Sequence, residues 1–218
     1  LRAPANMLIE QEYDGHKSLH DDAEAERLGF RAGPVEGPTH FSQFDPLLVK
    51  LWGQTWFEQG CISCHYKNMV VEGEQVQAFV RPISETRAEC WALKADGTPV
   101  LEASATRGPE HGETLLEARM AKLRPAGELV ILADLNVGLQ GGQDEPVRMV
   151  ADQNMGALYP FSLTEKSAKI TERTSWYDHP SASPWGRAII PTEMVSVLAE
   201  YSIRLAGFPV NGPAIGLF

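Results

Sequence analysis

An apolar stripe between residues 41 and 58 limits the fold more than any other feature of this chain. Phe41, Phe44, Leu47, Leu48, Leu51 and Trp52 recur at helical spacing, with Trp56 and Phe57 one turn further on. The spacing predicts one long helix over 41–58, buried on most sides. Pro38 and Thr39 stand just ahead, where a helix start tolerates Pro and welcomes a Thr cap. Pro46 lies inside the pattern and would kink the helix or move its start later. Strand patterns follow over 61–71, over the alternating Val76, Ala78 and Val80, and over 87–93 and 99–106. The last two flank Asp96-Gly97, a hairpin turn signal. A helix followed by an antiparallel meander makes this an α+β chain.

Upstream, the acidic segment from Asp21 to Leu28 ends at Gly29, which reads as helix punctuation. Downstream, a second helix is predicted over 109–125, ended by Pro125, then an apolar run over 128–135 and a Gly-rich loop over 138–146. A weak internal repeat appears after that. Pro191-Thr192 echoes Pro38-Thr39 at an offset of 153 residues, and Tyr177-Asp178 echoes Tyr13-Asp14. The offset carries Phe41, Phe44 and Leu48 onto Met194, Val197 and Tyr201, again an apolar stripe. The expected organisation is a first unit over 1–108, a connector with a helix and an apolar strand over 109–160, and a partial second unit over 161–218. The second unit stops where its first central strand would begin, so either it is truncated, or a partner chain supplies the missing strands, or the repeat is false.

The hydrophobic fraction of 43% suits a packed core. A net charge of −10 with scattered Lys and Arg argues against nucleic acid. No apolar run is long enough for a membrane span, and Leu1 to Asn6 lack the apolar centre of a signal peptide. Three cysteines make no disulfide framework, so a reducing cytoplasm is the expected location. Cys61-Ile62-Ser63-Cys64-His65 spells a c-type haem attachment sequence. It falls in a strand pattern, however, where residues three apart point to opposite faces. Buried strand thiols are therefore expected, with no metal or cofactor.

Three stretches carry a resemblance: His20 through Phe30, Gly33 to Gly37, and Tyr66 to Val76 with its Val-Val-Glu-Gly-Glu-x-Val core. Together they resemble MaoC-like hot-dog proteins, the (R)-specific enoyl-acyl hydratases and dehydratases. The resemblance covers roughly residues 13–106. It implies a hot-dog fold, a long central helix wrapped by a curved antiparallel sheet, and a double hot-dog with an incomplete second unit. It also implies a lyase acting on acyl thioesters such as enoyl-CoA, without a cofactor, in a homo-oligomer or paired with another hot-dog chain. His20 corresponds to the catalytic His of the family motif Asp-x-Asn-Pro-x-His. The residue five before it is Gly15, and Asp14 lies one position too early.

Hydration of an enoyl thioester needs a base, a second group on the water and a donor to the thioester oxygen. The candidates are His20, Asp14 and the backbone N–H of Gly37. His16 and His40 are alternative bases, and Glu36 is an alternative carboxylate for Asp14. Two other readings stay open. One is a degenerate hot-dog protein that binds acyl ligands or a partner chain without catalysis. The other is a thioesterase that uses Glu36.

Overall fold

The computed structural model describes residues 1–13, 15–125, 138–140 and 148–205. Its centre is a four-stranded antiparallel sheet in the order β3-β6-β5-β4. The strands are β3 (Gly60–Tyr66), β4 (Val76–Pro82), β5 (Arg87–Lys94) and β6 (Pro99–Arg107). A small hairpin, β1 (Glu12–Tyr13) and β2 (His16–Lys17), lies apart from it. The Asp96-Gly97 turn forms as predicted, with Gly97 at φ +88° and Lys94 N–H donating to the Thr98 carbonyl.

The predicted helix over 41–58 is not continuous. It is a 3-10 segment at Gly37–Gln43, then α2 (Asp45–Trp52), then α3 (Thr55–Gln59). Pro46 sits in the first turn of α2 and starts it. Gly53, at φ +62°, ends it. Thr39 caps nothing here; its hydroxyl accepts from Lys166 instead. The stripe still does its work across the breaks. Phe44, Leu48, Trp52 and Trp56 bury themselves against the sheet. The inner face there is built from small residues, with Ala88 opposite Ala105 and Cys90 opposite Ala103. Small side chains on the sheet make room for aromatic side chains on the helices.

The register puts Ile62, Cys64 and Tyr66 on this inner face and Cys61 and Ser63 on the outer one. Cys61 and Cys64 are free and half-buried, not fully buried as the pattern suggested; Cys90 is buried. The two thiols of the Cys-x-x-Cys-His run thus face opposite ways, which opposes haem attachment. His65 instead neighbours Glu102 and Lys67. Strand β3 stops at Tyr66, short of residue 71, and Val71 makes only an isolated bridge to Pro34.

Helix α1 (Asp22–Arg27) is capped by Asp21, as its acidic start predicted. The predicted helix over 109–125 shrinks to α4 (Leu115–Met120), which begins with a capping box at Thr114. The predicted apolar strand over 128–135 lies outside the described residues. Helices α5 (Leu163–Lys169), α6 (Ser175–Asp178) and α7 (Thr192–Leu205) follow. Helix α7 packs on the 3-10 segment and buries Met194 and Val197 with Leu8, Met155, Tyr159 and Phe161 in a second core. Among the described residues, no helix is long and apolar enough to cross a membrane.

Candidate functional site

The chain's first forty residues converge on a cavity of about 810 Å³. Its walls come from the 16–20 loop, α1, residues 34–38 and 66–70, and from Tyr159 and Glu200 in the carboxy-terminal half. His20, Gly37, Glu36, His40 and His16 all line it, so five of the sequence-selected residues come together. Asp14 lies outside the described residues.

The His20 loop is tied down from several sides. Asn6 donates to the His20 carbonyl at 3.0 Å, and the His20 N–H donates to Ser18 Oγ at 3.1 Å. Gly33 presses on the same backbone: a Cβ there would lie 2.1 Å from the His20 carbonyl oxygen, so only glycine fits. The ring nitrogen Nδ1 is 2.6 Å from the Pro34 carbonyl oxygen. A carbonyl can only accept, so Nδ1 carries the proton and Nε2 of the neutral ring keeps its lone pair. Burial pushes the His20 imidazole below its ordinary value, opposed by the Pro34 carbonyl and the Glu200 charge. His20 is therefore a neutral base at pH 7.

Glu36 goes the other way. It is 8% exposed, and burial raises its carboxyl to about 7, with Lys166 opposing. His40 is buried and pushed down to about 4 by burial and by Lys166. It sits against Gln43 at 3.2 Å. His16 is exposed on β2.

Gly37 is the first residue of its 3-10 segment, so its N–H has no acceptor within that segment. The Tyr66 ring lies directly beside it: a Cβ on Gly37 would meet the ring at 2.6 Å. Gly37→Ala is expected to destabilise the protein by about 1–3 kcal/mol, as overpacking does. It should also displace Tyr66 in the cavity wall. Urea melts and ligand titrations check both.

Behind the cavity wall is a charge cluster that the sequence did not suggest. Lys166, 2% exposed, lies 3.9 Å from Glu36 Oε2 and 3.9 Å from Glu193 Oε2, and donates to Thr39 Oγ1 at 3.1 Å. Glu193, 0% exposed, is raised to about 8, chiefly by burial. Asp45 accepts from Trp56, Tyr177 and Thr192 and is raised to about 6 by burial against those three bonds. No cluster of His, Cys, Asp and Glu suited to a metal occurs among the described residues.

No family model matches the chain, and no curated protein matches it. Solved structures do show similarity. One is the (R)-hydratase from A. caviae involved in PHA biosynthesis, 24% identical, covering 42% of this chain and 75% of that one at a TM-score of 0.32. Another is a MaoC-like dehydratase, 14% identical, covering 87% and 69% at a TM-score of 0.37. A third is the truncated HadBC (3R-hydroxyacyl-ACP dehydratase) complex from Mycobacterium tuberculosis, 18% identical, covering 39% and 69% at 0.27. The superpositions are partial.

Proposed function

We propose that this protein is a hydro-lyase that adds water to, or removes it from, an acyl thioester bound in the cavity of a hot-dog unit. The observation that carries the reading is the pairing of protonation states. His20 is a neutral base and Glu36, raised to about 7, holds a proton near neutrality, and both line one cavity. Two groups driven apart in this way divide acid and base work between them. In the hydration direction, His20 Nε2 takes a proton from water as the water oxygen bonds to the β-carbon. The double-bond electrons move toward the thioester carbonyl, whose oxygen accepts from the Gly37 N–H. Glu36 then returns a proton to the α-carbon. Glu36 takes the part that the family pattern gives to an aspartate. No cofactor enters this scheme. The carrier's phosphates would compete for Lys17 and Lys67, which pair with Glu10 and Glu102 at the exposed edge of the cavity.

Incubation with crotonyl-CoA and longer enoyl-CoAs tests the proposal. The expected result is loss of the enoyl absorbance, abolished in His20→Ala and in Glu36→Gln. The rate should fall on the acid side as His20 protonates and on the alkaline side as Glu36 loses its proton above about 7. A carboxyl at Glu36 in the cavity also favours a thioesterase, which release of free thiol would reveal. Acyl-CoA binding with neither reaction would overturn the catalytic reading and leave a binding protein.

A further inference from the structure

The proposed reaction leaves one cavity wall unused, and it comes from the far end of the chain. Glu200 on α7 lines the same cavity as His20. The Tyr159 hydroxyl donates to Glu200 Oε2, which anchors the carboxylate there. Tyr159 is itself held in the second core, stacked edge-on against Phe161. Helix α7 rests on the 3-10 segment that begins at Gly37, so its position relative to the first unit is set by packing. We propose that Glu200 is the positioning carboxylate for His20, supplied by the carboxy-terminal half of the chain and aimed by Tyr159.

The chemistry asks for such a group. When His20 takes a proton its ring becomes a cation inside a cavity that disfavours charge. An anion nearby offsets that penalty during turnover. Two side chains put charge on the imidazole, Glu200 from α7 and Lys166 from α5, while the Pro34 carbonyl holds Nδ1. Glu200 is the one whose sign favours the imidazolium. Glu200 thus reaches the cavity of His20 from 180 residues downstream, a second carboxylate beside Glu36.

This inference rests on the hydro-lyase reading for its kinetic part only. The test is an NMR titration of the histidine rings in the full chain, with the His20 signal assigned by its loss in His20→Asn. In Glu200→Gln the His20 titration should move to lower pH by roughly half a unit or more, because an anion that favours the charged ring is gone. The acid limb of the rate profile should move down with it. The turnover number should fall about tenfold or more while KM stays within about twofold. A folded Glu200→Gln with an unchanged His20 titration overturns the proposal. If that variant does not fold, Tyr159→Phe replaces it and should move the titration part of the way in the same direction; no movement overturns the proposal equally. Wild-type protein without turnover would sink the hydro-lyase reading, and the ring titration would still decide whether Glu200 partners His20.

Discussion

Lys166→Met is expected to destabilise the protein by about 3–5 kcal/mol at pH 8 and by little or nothing at pH 5. The reason is the company Lys166 keeps. It is buried with Glu36 and Glu193, each 3.9 Å away, and among the described residues neither Glu193 oxygen nor Glu36 Oε2 has a hydrogen-bond partner. The attraction of the ammonium therefore carries most of what compensates their burial. At pH 8 the variant must either keep buried, unpaired carboxylates or protonate them, and each choice is unfavourable. At pH 5 both carboxyls already hold protons, since they are raised to about 7 and about 8. The buried ammonium then has little to pair with, and a Met of similar length is neutral or better.

The same groups set the sign of the wild-type pH dependence. A carboxyl raised on folding contributes stability that is fully present below its unfolded value and is lost as pH rises through the folded one. Glu36 and Glu193 therefore lower stability between about pH 4.5 and 8. Asp45 acts in the same direction up to about 6. His40 and His20 are depressed on folding and act oppositely, gaining stability up to about 6.5. Above that pH only the two glutamates remain, so stability should fall from pH 6.5 to 8. In Lys166→Met the fall should be steeper and extend further. Urea melts at pH 5, 6.5 and 8 on both proteins check the slope and the difference; parallel curves would show that Lys166 does not compensate the glutamates.

What could be read in advance follows the range of the interactions. The meander over 76–107 was legible because alternation and an Asp-Gly turn are local signals. His20 and Gly37 were picked out through a family resemblance, and both line the cavity. The helix over 41–58 was half legible: its stripe correctly marked Phe44, Leu48, Trp52 and Trp56 as core. A stripe reports which face is buried and not whether the backbone is continuous, and Gly53 breaks it. The charge cluster was missed because Lys166 and Thr39 meet across 127 residues. One signal was available. Glu193, Val197 and Glu200 share a face of α7 with Met194, so the apolar stripe carries carboxylates. Acidic residues on a face destined for burial are expensive, and that marks them for a partner or a task.

Asp45→Ala is expected to cost about 3–6 kcal/mol, whereas Asp45→Asn should cost about 1 kcal/mol or less. Asp45 is a junction. Its Oδ1 accepts from Trp56 Nε1 at 2.8 Å and Thr192 Oγ1 at 2.9 Å, and its Oδ2 accepts from Tyr177 OH at 2.9 Å. Trp56 belongs to the first core, Tyr177 to α6 and Thr192 to the start of α7. Around it, Phe57 meets Trp176, Tyr177 and Trp185 edge-on, and Trp185 donates to Glu58. Alanine would leave two buried donors, Trp56 and Tyr177, and the half-buried Thr192 hydroxyl without this acceptor, each buried one worth about 1–3 kcal/mol before relaxation. The indole N–H cannot turn away, while the two hydroxyls partly can. Asparagine keeps Oδ1 for Trp56 and Thr192. Its amide takes the place of Oδ2, where the Tyr177 hydroxyl can rotate and accept. It also removes a buried charge whose carboxyl is already raised to about 6. Hydrogen exchange locates the damage: in Asp45→Ala, amides of residues 175–200 should lose protection before those of the sheet. Equal losses in the Ala and Asn variants would mean that the charge, rather than the acceptor pair, holds α6 and α7 against the first core.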